Sequence, residues 1–249
     1  MSKRLKTRPA KSNADVAAFF DACAHSYEEQ HGDAERLLRY RLDLLSDSAQ
    51  FRVDDTVLEI GCGNGLHLIA LAKRYGRGIG TDLSPAMIAA ARAAMKGRPG
   101  ENKLSFEVDA SERLQSVAAS SVDVVLCVGS LEHMLDQNAV LDNAFRILKP
   151  GGRLVCLTLN GGSVWYAYLA PLFGSDTRQL TTDRYLTSGE LRRLARDAGF
   201  AEPLIDAWTF VQRGDMPETT AWLLDILDCV GRLLRLSFLR GGLRLYAMK

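Results

Sequence analysis

Three glycines at alternate positions, Gly61, Gly63 and Gly65, follow an apolar, partly β-branched segment that contains Glu59. Glycine lets the backbone turn sharply and approach a ligand closely, because it has no side chain to intervene. Residues 66–74 then have the composition of a helix, whose free N-terminal amide groups would face the same ligand. This order of strand, glycine loop and helix predicts a site for a nucleotide-type cofactor. A tight turn with a purely steric need for glycine is the structural alternative.

The spacing of these glycines argues against two common phosphate-binding loops. The dinucleotide fingerprint is G-x-G-x-x-G/A, and its third position is occupied here by Leu66. An NAD-dependent oxidoreductase is therefore disfavoured. A P-loop needs Gly-Lys-Ser/Thr at its end, and the residues after Gly65 do not have that pattern.

Polar residues recur where the next apolar segments end. Asp82 lies roughly 20 residues beyond the glycine loop, the distance at which an acidic residue reaches ribose hydroxyls in dinucleotide-binding folds. Asp109 ends the third segment and can accept a hydrogen bond from an exocyclic amine. Ser130 and His133 follow the fourth segment. We expect these groups to converge, because ligands of doubly wound sheets bind at the carboxyl ends of the strands.

Segments typical of strands alternate with segments typical of helices between residues 53 and 158. This alternation predicts an α/β fold with a doubly wound, mostly parallel sheet and helices on both faces. The expected strands are 56–60, 77–82, 104–109, 122–128 and 153–158. The expected helices are 64–74, 85–96, 112–117 and 137–148. Beyond them we expect a helix that begins with the Thr187–Glu190 capping box, a strand at 203–211, a long helix at 218–238 and an edge strand at 242–248.

The chain is expected to have three parts. Residues 1–12 carry basic residues and no acidic residue, which predicts a disordered basic tail. Residues 13–50 should form helices that cover the site, with Asn13 as N-cap and a break near Gly32. Residues 51–249 should form the cofactor-binding domain.

Composition places the chain among ordinary globular proteins, with 249 residues, 47% hydrophobic residues and a net charge of +1. That charge gives no reason to expect nucleic acid as a partner. The 5 cysteines include no Cys-x-x-Cys pair, which is typical of buried free thiols in a reducing compartment. The charged N-terminus leads into no apolar segment, so we expect no signal peptide and a cytoplasmic location.

Five sequence blocks between residues 50 and 160 resemble those of class I S-adenosylmethionine (SAM)-dependent methyltransferases. The similarity is to the ubiquinone- and menaquinone-biosynthesis type and to related small-molecule enzymes. The blocks are VLEIGCGNG (57–65), GTDLSPAMI (80–88), VDA (108–110), VDVVLCVGSLEHM (122–134) and RILKPGGRLV (146–155). The resemblance implies a Rossmann-like sheet of seven strands, whose last strand is antiparallel, and an enzyme that uses SAM as its cofactor.

The resemblance also implies where the methionine part of SAM binds. It would lie against the backbone of the glycine loop, supported by an acidic residue below it, and against the end of the fourth strand. The residues expected there are Glu59, Gly61, Cys62, Gly63, Gly129 and Ser130.

The ribose and adenine are implied to lie at the ends of the second and third strands. Asp82 would hold both ribose hydroxyls, and Leu83 and Met87 would enclose the adenine. Asp109 would accept a hydrogen bond from the adenine amino group, and the Ala110 amide would donate one to a ring nitrogen.

A general base is a separate question, because SAM already carries an activated methyl group. A base is needed only if the acceptor is a hydroxyl or a protonated amine. His133 is the leading candidate, since it follows the fourth strand, where the acceptor should lie. Packing or capping at the start of a helix is the structural alternative. No residues around His133 have metal-ligand spacing, and we expect no metal.

Acceptor specificity should come from the variable parts of the chain. The loop 160–186 is rich in aromatic residues, which suit a small, flat or lipophilic acceptor, and a local apolar core is the structural alternative. The added helix 218–238 has a broad apolar face, which we expect to dock onto the domain. A dimer contact and a peripheral membrane contact are the alternatives for that face.

Three hypotheses about function follow. The first is a SAM-dependent methyltransferase that acts on oxygen, nitrogen or carbon of a small, lipophilic or aromatic acceptor. The second is a methyltransferase for a macromolecule, tRNA or protein, guided by the basic tail. The third is a non-catalytic SAM-binding protein.

Overall fold

The computed structural model describes residues 7–25, 34–172, 178–208 and 218–249. Its strands are β1 (Thr56–Ile60), β2 (Arg77–Asp82), β3 (Leu104–Val108), β4 (Val122–Val128), β5 (Leu148–Leu159), β6 (Ala201–Trp208) and β7 (Gly242–Met248). Its α-helices are α1 (Asn13–Cys23), α2 (Ala34–Ala49), α3 (Leu66–Leu71), α4 (Pro85–Met95), α5 (Gln137–Ile147), α6 (Ala170–Leu172), α7 (Ser188–Asp197) and α8 (Glu218–Leu233).

The strands form one sheet in the order β3-β2-β1-β4-β5-β7-β6. The first five strands in this order are parallel to one another, whereas β7 is antiparallel to both β5 and β6. The chain order therefore reverses between β1 and β4, and this is the switch point at which a doubly wound sheet binds its ligand. The predicted fold class is confirmed.

Both faces of the central strands are buried, which explains why these strands are apolar over their whole length. Leu58 and Ile60 of β1 belong to a core that includes the inner faces of α5 and α7. Val57 belongs to the opposite core, beneath α2, α3 and α4. Among the described helices, none is long and apolar enough to cross a bilayer.

Two predicted elements between β3 and β5 differ from the structure. Residues 112–117 form turns instead of a helix, since Leu114 has a positive φ of 42° and the Ser116 amide donates to the Asp109 carboxylate. The strand expected at 153–158 begins earlier, at Leu148, where β5 already pairs with β4, and residues 149–152 form a bulge inside it. Pro and Gly thus mark a bulge here and not the end of the ladder.

The N-terminal segment also differs from the prediction. Residues 7–12 are not a free tail: Arg8 pairs with the segment around Leu180, and the N-cap of α1 is Ser12, in a capping box with Asp15. The preceding residues and the expected break near Gly32 lie outside the described residues. At the other end of the chain, the expected helix 218–238 ends at Leu233 and a short 3-10 turn follows.

Candidate active site

A cavity lies at the carboxyl ends of β1, β2 and β4. Eight of the predicted site residues line it: Gly61, Gly63, Asp82, Leu83, Met87, Gly129, Ser130 and His133. The lining residues that the sequence reasoning missed are Asn13, Val16, Phe20, Ser111, Glu112 and Met134.

The glycine loop turns over the end of β2 because its three glycines have positive φ, 65° at Gly61, 53° at Gly63 and 78° at Gly65. A Cβ at Gly61 would lie 2.6 Å from the Ser130 Cβ, so the first glycine is needed for packing. A Cβ at Gly63 would meet nothing within 4 Å. The second glycine therefore leaves open space at the cavity wall, which a ligand can approach.

Asp82 connects this loop to the end of β2. Its Oδ2 accepts from the Gly63 amide at 2.8 Å, and its Oδ1 accepts from the Ser84 amide at 2.9 Å. Burial raises the pKa of the Asp82 carboxyl, against the lowering effect of these two amides. Each carboxylate oxygen has a further lone pair. The carboxylate can therefore accept from two hydroxyls, as the predicted contact with a ribose requires.

Glu59 lies below the loop and does not line the cavity. It is fully buried, its Oε1 lies 2.7 Å from the His67 Nδ1, and its Oε2 has no partner among the described residues. Cys62 is buried as well, and burial raises the pKa of its thiol. The unpartnered carboxylate oxygen under the loop suits a cofactor whose methionine part carries positive charge.

The adenine side of the cavity differs most from the predicted contacts. Leu83 and Met87 line it, whereas Asp109 and Ala110 do not. The Asp109 carboxylate accepts instead from the Ser116 amide at 2.8 Å and from the Ser116 hydroxyl at 2.6 Å. The polar groups in the lining at this side are Ser111 and Glu112. Both of these hydrogen bonds are accepted by the Asp109 Oδ2, so the carboxylate is attached to Ser116 and does not line the cavity.

Helix α1 forms one wall of the cavity through Asn13, Val16 and Phe20. The helix is attached to the start of α4, because the Asp21 Oδ1 accepts from the Ser84 hydroxyl and from the Ala86 amide. The sequence indicated a covering helix here and gave no sign of which residues would enter the cavity.

Arg41 of α2 is a further residue that the sequence reasoning missed. A Cβ at Gly129 would lie 2.9 Å from the Arg41 Nη2, so the guanidinium lies against this glycine at the end of β4. Gly129 has a φ of 63°. A guanidinium in this place is suited to the carboxylate of the methionine part.

His133 lines the cavity beside Ser130 and Met134. Its Nδ1 lies 2.8 Å from the Oδ1 of Asp183, and the Phe20 ring packs edge-on against the imidazole with centroids 5.3 Å apart. Asp183 belongs to the loop before α7, 50 residues further along the chain. No pattern in the sequence connects it to His133, and only the tertiary structure shows the pair.

The described residues fit SAM at one end of the cavity. Asp82 offers acceptors for the ribose, Gly63 leaves room for close backbone approach, and Glu59 and Arg41 have charges opposite to those of the methionine part. The other end is apolar around His133.

Comparison with known proteins indicates a methyltransferase domain in this chain. Residues 58–156 match the family described as "Methyltransferase domain". A similar curated protein is the ubiquinone biosynthesis O-methyltransferase of Psychrobacter arcticus, 32% identical over 151 residues, which are 58% of this chain and 58% of that protein. The chain thus aligns with less than two thirds of that relative.

Solved structures show the same fold at low sequence identity. A crystal structure of the cyclase SpnF is 18% identical and covers 98% of this chain and 99% of its own, with a TM-score of 0.69. Geranyl diphosphate C-methyltransferase from Streptomyces coelicolor, in complex with Mg²⁺, geranyl diphosphate and S-adenosyl-L-homocysteine, is 17% identical, covering 96% and 99% with a TM-score of 0.66. The matched domain and the sheet order together show that the chain contains a methyltransferase domain with the class I fold, with SAM as the cofactor of that domain.

Proposed function

We propose that the protein transfers the methyl group of SAM to a small, lipophilic or aromatic acceptor that binds beside His133. The observation that carries the proposal is the single cavity that joins two different environments. One end has the glycine loop and the Asp82 carboxylate, and the other has an imidazole among apolar side chains. Such a cavity can hold a polar cofactor and a flat, apolar acceptor at the same time.

Binding and alignment are the main tasks of this chain, because bound SAM supplies an activated methyl group on a positive sulfur. Asp82 holds the ribose, and Leu83 and Met87 pack against the adenine. Arg41 takes the methionine carboxylate, so that the methyl group faces the His133 end of the cavity. In-line alignment of this kind contributes on the order of 7 kcal/mol or more in well-oriented reactions.

The acceptor class follows from the side chains around His133. Val16, Phe20 and Met134 line the cavity and offer no charge. Helix α1, held by Asp21, covers the site and excludes water from the reacting groups. The name of the Psychrobacter relative supports O-methylation of a small molecule. The structural neighbours have low sequence identity and support only the fold, so the acceptor class is inferred from the side chains of the cavity.

Calorimetric titration of the full chain with SAM tests the cofactor part of this proposal. We expect a Kd in the micromolar range, which corresponds to a binding free energy of about −8 kcal/mol. A folded protein that binds no SAM would refute the proposal.

Incubation with methyl-labelled SAM and an extract of the source organism tests the acceptor part. We expect the label to enter small molecules that partition into an organic solvent. Label that enters RNA or protein instead would favour a macromolecular acceptor. Binding without any transfer would favour a non-catalytic SAM-binding protein, a test that matters because one structure with this fold is named as a cyclase.

A further inference from the structure

We propose that Asp183 is a positioning residue that holds His133 as a general base, so that the methylated atom of the acceptor is a hydroxyl oxygen. This inference rests on the proposed function, because it names the chemistry of the acceptor in the same cavity. It does not depend on which hydroxyl compound binds.

The hydrogen bonds of Asp183 define its role. Its Oδ2 accepts from the amides of Gln179 and Leu180 at 2.7 and 3.0 Å, and its Oδ1 lies 2.8 Å from the His133 Nδ1. An ionised carboxylate only accepts hydrogen bonds. The hydrogen between the two side chains therefore belongs to Nδ1, and the neutral imidazole keeps its lone pair on Nε2.

The loop that carries Asp183 is itself held in place. The amide of Arg8 donates to the Gln179 carbonyl, and the amide of Thr181 donates to the Arg8 carbonyl, both at 2.9 Å. On its other side, the Arg184 amide donates to the Glu132 carbonyl at 2.9 Å. The carboxylate is thus fixed against His133 by backbone contacts from both the N-terminal segment and the turn that contains the histidine.

The position of the pair favours a chemical role over a purely structural one. The Asp183 side chain is completely buried, whereas the imidazole is at the cavity wall. Because Nδ1 is occupied by Asp183, Nε2 is the nitrogen left for a bound acceptor. Burying a carboxylate is costly unless it is paired, and a purely apolar contact would close this wall without that cost.

The proposed step balances as follows. The acceptor O–H proton moves to the His133 Nε2 as an oxygen lone pair forms the new bond to the methyl carbon. The bond from that carbon to sulfur breaks with its electron pair on sulfur, which leaves neutral S-adenosylhomocysteine. The imidazolium is stabilised by Asp183 and later releases its proton to water. A neutral amine already has its lone pair and needs no such base. A protonated amine would bring a positive charge among the uncharged side chains of Val16, Phe20 and Met134, so the pair favours a hydroxyl.

The tautomer of His133 can be measured without any acceptor. In ¹⁵N-labelled full-length protein, two-bond nitrogen–proton spectra should show a protonated Nδ1 and a bare Nε2 for His133. In Asp183→Asn the amide donates to Nδ1, so we expect the opposite tautomer. Asp136→Asn is the matched control: Asp136 caps α5 through the Ala139 amide, and asparagine caps equally well. A bare Nδ1 in the wild type, or an unchanged tautomer in Asp183→Asn, would overturn the inference.

Methyl transfer to phenols of different acidity tests the base itself. With an alkylphenol, we expect Asp183→Asn to lower kcat by about 10²-fold or more, within the 10²–10⁴-fold range of general bases. With 4-nitrophenol, which is largely ionised above neutral pH, the loss should be less than about tenfold. An equal loss for both phenols would mean a merely structural role and overturn the inference.

SAM calorimetry on the same samples separates the two proposals. Asp183→Asn should bind SAM within about threefold of the wild type, since the pair lies at the acceptor end. A wild type that binds no SAM refutes the proposed function, whatever the tautomer of His133. A wild type that binds SAM and has a bare Nδ1 refutes only the role of Asp183.

Discussion

The two ends of the cavity are built in different ways. The cofactor end is made by the ends of β1, β2 and β4, which are neighbours in a parallel sheet, and much of its surface is backbone. The acceptor end is assembled from α1, the turn after β4 and the loop before α7, which are distant in the chain. Strand ends in one sheet are fixed by the sheet itself, whereas the acceptor end depends on contacts between loops.

Replacement of His133 should separate the two ends most clearly. We expect His133→Ala to reduce the rate of methyl transfer to a hydroxyl acceptor by about 10²–10⁴-fold, because the general base is lost. SAM affinity should change less than about threefold. Initial rates with labelled SAM and calorimetry measure the two effects. His25→Ala is the control, since His25 is exposed and should alter neither quantity. A comparable loss of SAM affinity in His133→Ala would contradict the division into two ends.

Asp82 and Asp109 give a comparison within the cofactor end. Asp82→Asn should weaken SAM binding by about 10- to 100-fold, because hydrogen bonds to charged groups contribute roughly 1.5–3 kcal/mol. Asp109→Asn should weaken it by less than about tenfold, since that carboxylate is engaged by Ser116. Calorimetric titration of both variants with SAM measures the two affinities. If Asp109→Asn has the larger effect, the Asp109 side chain does turn to the adenine when SAM binds.

The two glycines of the loop should respond differently to the same change. Gly61→Ala should lower the free energy of unfolding by about 1–3 kcal/mol more than Gly63→Ala, because only a Cβ at position 61 would overlap with Ser130. Gly63→Ala should instead weaken SAM binding, since its Cβ would occupy the open space at the cavity wall. Urea unfolding and calorimetry measure the two effects. Equal unfolding curves for the two variants would contradict the packing role of Gly61.

The smallest effect on stability is expected where the loop that carries Asp183 joins α7. The pKa of the Glu190 carboxyl is lowered mainly by a hydrogen bond from the backbone amide of Thr187. Hydrogen bonds from the side chains of Thr187 and Arg184 lower it further. A lowered pKa in the folded state means stability that is present above the unfolded pKa and is lost as pH falls through the folded value.

Glu190→Ala should therefore lower the free energy of unfolding at pH 7 by about 0.5–1 kcal/mol, the usual size of a cap, with the exposed ion pair adding little. The difference from the wild type should shrink toward pH 3, and SAM affinity should stay the same. Urea unfolding at both pH values provides the test. A difference that grows as pH falls would contradict the assigned sign.

Much of the cofactor end could be predicted from local patterns. β1 and β4 have the bounds that the sequence indicated, since strands buried on both faces are continuous apolar runs bounded by turn residues. The convergence of Gly63 and Asp82 followed from the position of each at a strand end. The helix expected at 112–117 was wrong, because the Asp109 carboxylate competes for the Ser116 amide.

The sequence by itself determined the parallel sheet, the glycine loop and the acidic group at the end of β2, because strand periodicity, turn residues and strand ends are local properties. Only the tertiary structure decided that Phe20 lines the cavity, that Arg41 lies against Gly129 and that Asp183 pairs with His133. Each of these side chains comes from a helix or loop whose place depends on long-range packing. The pairing of Asp183 with His133 is the clearest case, since backbone hydrogen bonds between distant segments hold it and no local pattern encodes it.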